Sequence, residues 1–373
     1  MKWRLITDDK VSDSFGLAAD EALAQRVGKG ESPPTLRLYT YRPCALVGRF
    51  QTIEHELHVD YCRNHNIPIN RRPTGGGAII MGEGQLGVAL TIPGRKDDSY
   101  SRARELMAHF AGGVLRGLAS LGIQADFQRK NDIEVNGRKM VGLGIYRAPS
   151  NGLLFHASIL VNLDVPYMLK VLNTPFEKIS DKEIAMVAAR TTDVHREVGK
   201  AVPLDEIRRR VAAGYASAFD VTLESGDFTA AELDEISRLE AEKYLRRDWV
   251  YQDIEVPDTF GSAKVKTPAG LLDIRASLAG RTVKAVFIGG DFFASENAIA
   301  DLEASLRWHS SKPAVVAATL AQVYERRQAE LNGIPLADLT EVVQTAVKRA
   351  TIAESKARSD PYGCFVTPEG TRV

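Results

Sequence analysis

Three consecutive glycines stand between two strand-like segments, and this arrangement constrains the fold more than any other feature of the sequence. The chain reads IPINRR, then Pro73 and Thr74, then Gly75, Gly76 and Gly77, and then AIIM. Apolar and β-branched residues on both sides favour strands, and the glycines favour a tight connection. Because glycine lacks a Cβ atom, backbone N–H groups in such a connection can approach an anion closely. The sequence therefore predicts a glycine loop inside a β-sheet.

Two arginines directly precede this loop and extend what it could bind. The planar guanidinium of Arg71 or Arg72 can hold a carboxylate or a phosphate in a bidentate way. A glycine bulge beside two surface arginines accounts for the same residues without any ligand. Composition alone gives the two interpretations equal weight.

A second segment, KNDIEVNGRKMVGLG, combines charged residues with a hairpin signal. Asn136 and Gly137 form the dipeptide that favours a two-residue hairpin turn. Asp132, next to Asn131, could hold Mg²⁺ on a nucleotide, and Lys139 could neutralise charge that develops on an acyl phosphate. Considered alone, the segment fits a solvated, charged hairpin better than a site.

The alternation of helical and strand-like periodicity predicts an α/β (α+β) protein. DSFGLAADEALAQRV and SRARELMAHFAGGVLRGLASLGI have apolar residues at helical intervals, whereas TLRLYTYR and GLLFHASILVNLD are typical of strands. After Pro257 the strand-like segments become shorter. We expect a mixed β-sheet catalytic domain packed with helices over residues 1–245, a small α+β C-terminal accessory domain over 246–330, and a helical tail over 331–373.

The composition excludes several classes of partner. Lys plus Arg and Asp plus Glu both number 48, so no net charge attracts the protein to nucleic acid or to an anionic membrane. No apolar window is long enough to span a bilayer. The three cysteines, Cys44, Cys62 and Cys364, are widely separated and have no metal-site spacing, which suits a reducing compartment. We therefore expect a cytoplasmic protein that binds neither nucleic acid nor a membrane.

The two motif segments in this order resemble the lipoate-protein ligase family. RRPTGGGAII and KNDIEVNGRKMVGLGIY carry the resemblance, with DSFGLAADEAL before them and GLLFHASILVNLD after them. The resemblance implies an enzyme that uses ATP and Mg²⁺ to activate lipoate as lipoyl-AMP and then transfers the lipoyl group to a carrier lysine. The implied partners are lipoyl carrier proteins, such as an E2 lipoyl domain or the glycine cleavage H protein.

The same resemblance assigns roles to residues. Lys139 would contact the reacting carboxyl group as the catalytic residue, and Asp132 would hold the metal ion. The implied substrate-binding residues are Arg72, Thr74, Gly75, Gly76, Gly77 and His156, and the implied nucleotide-binding residues are Arg72, Gly77, Ala78, Asn131, Asp132 and Lys139. His156 lies in the apolar run LLFHASILV, where a satisfied, half-buried structural histidine is the alternative.

One position departs from the family pattern, and two other functions stay open. Met81 stands where the family usually has a histidine, and a thioether can neither donate a hydrogen bond nor carry charge. An octanoyl/lipoyl transferase of the same fold would take octanoate from an acyl carrier protein through a cysteine thioester, yet no cysteine lies between Lys139 and Asn173. A non-catalytic lipoyl-domain-binding protein would not need Asp132. The preference between lipoate and octanoate stays undecided.

Overall fold

Two compact units make up the part of the chain that the computed structural model describes, which is residues 1–95, 102–128, 131–173, 181–252 and 260–359. The first unit extends to Gln252 and the second begins after it. Pro257 and Cys364 lie outside the described residues. The predicted domain limits at 245/246 and at 330/331 stay predictions. None of the described helices is long and apolar enough to cross a membrane.

An eight-stranded mixed sheet and a three-stranded sheet form the framework of the first unit. The strands are β1 (Lys2–Val11), β2 (Thr35–Tyr41), β3 (Cys44–Val47), β4 (Ile69–Arg71), β5 (Ile79–Met81), β6 (Gln85–Pro93), β7 (Asp126–Phe127), β8 (Asp132–Val135), β9 (Arg138–Arg147), β10 (Gly152–Leu160) and β11 (Thr222–Ser225). The large sheet has the order β11-β1-β2-β6-β10-β9-β8-β7. β1 pairs in parallel with β11 and β2, whereas the pairs from β2 to β7 are antiparallel.

The small sheet holds the glycine loop. Its order is β4-β3-β5, with β3 parallel to β4 and antiparallel to β5. The glycines connect β4 to β5, which are the two outer strands, so this connection passes β3, the middle strand. The predicted sequence of strand, glycine loop and strand is therefore present.

Helices cover both faces of the large sheet. They are α1 (Asp13–Lys29), α2 (Ile53–Glu56), α3 (Val59–Asn64), α4 (Ala103–Ala119), α5 (Val165–Val171), α6 (Asp181–Ala188), α7 (Val194–Val198), α8 (Leu204–Phe219), α9 (Ala230–Leu239) and α10 (Arg247–Tyr251). Val88 and Leu90 of β6 share a core with α4 and α8, while Ala89 between them packs with α1. This alternation is what a strand buried on both faces requires, and it confirms the predicted mixed α/β fold.

The second unit is a three-stranded antiparallel sheet with helices. It contains β12 (Phe260–Thr267), β13 (Gly270–Ala279), β14 (Thr282–Gly290), α11 (Glu296–Leu306), α12 (Pro313–Arg327) and α13 (Leu336–Ser359). α13 packs against β12 so closely that a Cβ atom on Gly261 would lie 2.1 Å from the Ala346 carbonyl oxygen. The segment predicted as a tail therefore contributes a helix to this unit.

A buried carboxylate ties α9 to β1 in the first unit. Arg4 binds Glu232 through two nitrogens, at 2.6 and 2.8 Å, and Ser32 donates to the same carboxylate at 2.6 Å. Glu232 also accepts from the Thr229 backbone N–H at 2.8 Å, which completes a capping box at the start of α9. Burial would raise the pKa of Glu232, but these hydrogen bonds outweigh burial and lower its pKa to about 2.

We expect this lowered pKa to make the protein sensitive to acid. A carboxylate with a depressed folded-state pKa stabilises the fold above its unfolded pKa, and the stabilisation is lost as the pH falls through the folded value. The contribution of Glu232 to the free energy of unfolding should therefore decrease by roughly 3 kcal/mol between the ordinary pKa of 4.5 and a pH near 2. Urea titrations across this range should show a shallower loss for Glu232→Gln. Glu224→Gln, in the exposed pair with Lys2, is the matched control and should keep the wild-type slope.

Candidate active site

A cavity opens between the glycine loop and the middle strands of the large sheet. The cavity has a volume of about 90 Å³. Apolar and aromatic side chains form most of its wall, and a few polar groups interrupt them. The lining residues are Leu17, Tyr39, Tyr41, Leu46, Arg72, Gly77, Ala78, Ile79, Met81, Gly87, Asn131, Lys139, Gly142, Leu143, His156, Ala157 and Ser158. Such a wall fits an acyl chain with one polar, reactive end.

The two adjacent arginines have different positions. Arg72 lines the cavity and is only 5% exposed, and its guanidinium donates to the carbonyl oxygens of Leu46 at 3.1 Å, Gly75 at 3.2 Å and Gly77 at 2.5 Å. Burial lowers the pKa of Arg72 to about 10. The guanidinium thus ties β3 to the loop as well as bordering the cavity.

Arg71 instead holds the chain behind the loop. Its side chain is fully buried and donates to the carbonyl oxygens of Gly48 at 2.9 Å, Gln51 at 2.6 Å and Val250 at 3.0 Å. Burial, and then the neighbouring arginines Arg49 and Arg72, lower the pKa of Arg71 to about 9. Arg71 does not line the cavity, so the first of the two arginines considered for anion binding is a structural residue.

The glycines of the loop have different environments. Gly76 has a φ of 94°, which residues with a Cβ atom rarely adopt. The loop lies so close to β3 that a Cβ atom on Gly48 would be 2.0 Å from the Gly76 carbonyl oxygen. Gly77 lines the cavity, and a Cβ atom there would meet nothing within 4 Å. Gly77 and Ala78 therefore face the cavity, whereas Thr74, Gly75 and Gly76 shape the loop from outside the wall.

The distinct environments of two glycines give a matched pair of variants. We expect Gly76→Val to lower the melting temperature, because a β-branched residue at this φ adds strain of about 1–3 kcal/mol. Gly77→Val should keep its melting temperature and lose affinity for a ligand with an acyl chain, because its side chain occupies open space at the cavity. Calorimetric binding and thermal unfolding of both variants provide the test. If Gly77→Val binds like the wild-type protein, this part of the cavity does not receive the ligand.

His156 of β10 lines the cavity and contacts the residue that precedes the glycines. Its Nε2 atom lies 3.1 Å from Thr74 Oγ1, and a Cβ atom on Gly144 would approach Nε2 to 2.1 Å. Desolvation, and then the charge of Arg72, lower the pKa of His156 to about 3, so the imidazole is neutral near pH 7. His156 therefore fits both sequence interpretations, because its ring has a hydrogen-bond partner in Thr74 and also lines the cavity.

Lys139 brings a positive charge to the cavity from the β8–β9 hairpin. Its Nζ atom lies 2.8 Å from Asp132 Oδ1, and the two side chains are 38% and 18% exposed. Asn136 and Gly137 have φ values of 51° and 75°, which fit a type I′ turn. The Lys139 backbone N–H donates to the Arg190 carbonyl oxygen at 2.9 Å, so the strand that carries the lysine is fixed on its outer side.

The other predicted nucleotide and metal residues have mainly structural contacts. The Asn131 side chain lines the cavity and donates to the Leu143 carbonyl oxygen at 3.0 Å. Asp132 is paired with Lys139, and within the described ranges no three His, Cys, Asp or Glu side chains gather as a metal site. The metal-binding role of Asp132 stays a prediction.

Several wall residues were missed by the sequence analysis. Tyr39 and Tyr41 project from β2, and burial raises the pKa of both hydroxyls well above the usual value. Ser158 Oγ lies 3.2 Å from the Met81 sulfur, so the methionine that replaces the usual histidine forms part of the wall. The alternation of TLRLYTY puts both tyrosines on one face and was the available signal.

Comparison with known proteins identifies the relatives of this chain. Residues 13–216 match the family described as the lipoyl protein ligase A/B catalytic domain. Octanoyltransferase LipM of Kyrpidia tusciae is 30% identical over 279 residues, which are 67% of this chain and 98% of that protein. Octanoyltransferase LipM of Clostridioides difficile is 28% identical over 269 residues, 66% of this chain and 98% of that protein.

Solved structures support the fold. The bipartite lipoate protein ligase of Thermoplasma acidophilum, described with its E2 lipoyl domain, has a TM-score of 0.60 and 25% identity over 69% of this chain and 99% of its own. LipL1 of P. falciparum in complex with lipoate has a TM-score of 0.67 and 18% identity over 87% of this chain and 98% of its own, which shows the fold alone.

These relatives correct the predicted activity. The prediction of an ATP-dependent lipoate-protein ligase that forms lipoyl-AMP is wrong, because the curated relatives are octanoyltransferases over nearly their whole length. The expectation of ATP and Mg²⁺ depended on the ligase reaction and loses its support. The curated relatives instead support the transferase that the sequence analysis kept as an alternative. The protein is an enzyme of the lipoate and octanoate transferases. By its sequence and its fold, the chain belongs to the lipoyl protein ligase A/B catalytic domain family.

Proposed function

We propose that this protein is an octanoyltransferase that moves an octanoyl group from a thioester donor to a lysine of a lipoyl carrier domain. The observation that carries the proposal is the match to octanoyltransferases over 98% of their length. The donor is the acyl thioester of an acyl carrier protein. A thioester is already an activated acyl group, so a carrier amine can attack it without an adenylate.

The composition of the cavity supports this substrate. Leu17, Leu46 and Leu143 supply apolar surface for an eight-carbon chain, while Lys139 supplies a cation for the carbonyl end. A developing oxyanion in a partly desolvated site gains more from such a cation than it would in water. The apolar wall and the single lysine thus match the two ends of an octanoyl thioester.

The acceptor is a lipoyl carrier protein, such as an E2 lipoyl domain or the glycine cleavage H protein. Support comes from the Thermoplasma acidophilum structure, whose protein was studied with its E2 lipoyl domain. The reacting lysine of such a domain must enter the cavity near Lys139. Because Lys139 is 38% exposed, an incoming side chain can reach it from solvent.

A transfer assay without nucleotide tests the proposal. The protein is mixed with an octanoyl acyl carrier protein and an unmodified lipoyl domain. The mass of the intact lipoyl domain is then measured by mass spectrometry. We expect the domain to gain one octanoyl group in the absence of ATP. Octanoate with ATP and Mg²⁺ is the parallel reaction, and a lipoyl thioester tests the acyl preference. Modification only from the free acid with ATP would overturn the proposal.

A further inference from the structure

We infer that Trp249 is a positioning residue for the proposed transfer, because it fixes the strand from which the glycine loop departs. Trp249 lies on α10, near the end of the first unit, and it does not line the cavity. It acts through Arg71 and Arg72, which join β4 to the loop. The inference rests on the proposed function, since it names what holds the loop at the cavity that receives the octanoyl donor.

Hydrogen bonds connect β4 with the chain around α10 in both directions. The Trp249 indole N–H donates to the Arg71 carbonyl oxygen at 2.9 Å. In return, Arg71 Nε donates to the carbonyl oxygens of Trp249 at 3.2 Å and Val250 at 3.0 Å. The side-chain amide of Asn70 donates to the Tyr244 carbonyl oxygen at 3.0 Å. We call these four hydrogen bonds the clasp.

The clasp fixes the peptide group at which the glycine loop begins. The carbonyl oxygen of Arg71 and the N–H of Arg72 belong to one planar peptide group. Trp249 donates to this carbonyl oxygen, and the N–H donates to the Val47 carbonyl oxygen of β3 at 3.1 Å. The peptide group is therefore held from both sides, and it cannot rotate without breaking a hydrogen bond. Its orientation sets the direction in which the chain enters the loop.

Arg72 transmits the position of this peptide group to the cavity wall. Its guanidinium donates to the carbonyl oxygens of Gly75 at 3.2 Å and Gly77 at 2.5 Å. Arg72 and Gly77 both line the cavity. A displacement at the end of β4 therefore moves the guanidinium and the glycine backbone together.

The segment that precedes Trp249 is also fastened to α1, which supplies Leu17 to the cavity wall. Glu21 of α1 is 3% exposed and accepts from Lys243 Nζ at 2.8 Å and from the Tyr244 hydroxyl. The Lys243 ammonium lies 4.1 Å from the centre of the Trp249 ring, so the same cation also holds the indole. The clasp thus connects two elements of the cavity wall, α1 and the glycine loop.

Loosening the clasp changes the affinity for the donor more than the rate of the bound complex. A ligand that binds only molecules with an ordered loop has an apparent affinity reduced by the fraction of such molecules. Loss of one hydrogen bond between neutral groups changes an equilibrium of this kind by about two- to tenfold. Saturating donor restores the ordered loop, so KM rises while kcat changes little.

Two tryptophan variants test the inference. Trp249→Phe keeps a ring beside Lys243 and removes the indole N–H. Trp3→Phe is the matched control, because Trp3 is 6% exposed beside Phe219 and its N–H has no hydrogen-bond partner among the described residues. We expect Trp249→Phe to raise KM for octanoyl acyl carrier protein about fivefold and to keep kcat within about twofold. Trp3→Phe should keep both values.

Replacement of Arg71 tests the other side of the clasp. Arg71→Lys keeps the charge but loses the planar fork that donates to several carbonyl oxygens, so KM should rise at least as much as in Trp249→Phe. Because both changes break the same clasp, the double variant should have a KM near that of Arg71→Lys rather than the product of the two effects. Thermal unfolding checks that each variant is folded. Multiplied effects would show that Trp249 does not act through Arg71.

Hydrogen exchange and ligand binding test the clasp without the reaction. Backbone amides between Arg72 and Ala78 should exchange faster in Trp249→Phe than in the wild-type protein, and Trp3→Phe should not change them. Calorimetry with a non-reactive octanoyl amide analogue of the donor should show about fivefold weaker binding to Trp249→Phe alone. Unchanged exchange in the loop, faster exchange across the whole first unit, or equal KM shifts in the two tryptophan variants would overturn the inference while the proposed function stands. If the wild-type protein transfers no octanoyl group, the proposed function fails, and the exchange data still decide whether Trp249 positions the loop.

Discussion

Replacing Lys139 with alanine is expected to lower kcat/KM for octanoyl transfer by ~10²–10³-fold, because the variant loses the cation that stabilises the oxyanion. The fold should change little. The ion pair of Lys139 with Asp132 is partly exposed, and such pairs contribute about 0–1 kcal/mol to stability. Rates with saturating and limiting donor, together with thermal unfolding, separate the effect on catalysis from the effect on the fold.

A neighbouring residue provides a matched control for this prediction. Arg138 precedes Lys139 on β9 and points to the opposite face of the strand, where it pairs with Glu197 at 2.8 Å. Arg138→Ala removes a positive charge and an ion pair of similar exposure without touching the cavity wall. We expect it to keep near wild-type kcat. Equal losses in the two variants would mean that Lys139 contributes only to the hairpin.

The fold was predictable because its signals are local. Ala18, Ala22 and Leu23 follow a helical interval and lie in α1, and the Asn136-Gly137 turn joins two strands as its residue types require. β1 was missed because charged residues interrupt its alternation. Those charges are paired in the fold, as Arg4 is with Glu232 and Lys2 is with Glu224.

The candidate site was only half predictable, because its other half depends on tertiary contacts. Gly77, Ala78, Asn131, Lys139 and His156, which the resemblance named, line one cavity, and their binding roles stay predictions. Arg71 and Arg72 are adjacent in sequence, yet only the fold decides that one holds buried carbonyl oxygens and the other borders the cavity.

The reaction type was the least predictable feature. The chain matches the family described as the lipoyl protein ligase A/B catalytic domain, yet its curated relatives are octanoyltransferases, so the motif segments did not distinguish the two reactions. The absence of a cysteine between Lys139 and Asn173 favoured the ligase in the sequence analysis, whereas the curated relatives favour the transferase.

A buried ion pair that the sequence analysis did not detect connects stability to the cavity. The guanidinium of Arg37 on β2 is fully buried, 2.6 Å from Asp8 and 2.8 Å from Asp20. It stacks 3.9 Å from the ring centre of Tyr39, whose hydroxyl donates to Asp20 at 2.7 Å. Burial raises the pKa of Asp20, and the charge of Arg37 opposes this effect. Because Tyr39 lines the cavity, the network fixes part of the cavity wall.

We expect Arg37→Met to lower the free energy of unfolding by about 3–5 kcal/mol, because it leaves the Asp20 carboxylate buried without its cation. The octanoyl donor should also bind less tightly, since Tyr39 loses the guanidinium beneath its ring. The double variant Arg37→Met/Asp20→Asn should regain most of the lost stability, because a neutral amide has a smaller desolvation cost and can still accept from Tyr39. Urea unfolding of both single variants and the double variant gives the coupling energy between the two residues. A double variant no more stable than Arg37→Met would show that lost packing, rather than an uncompensated charge, causes the destabilisation.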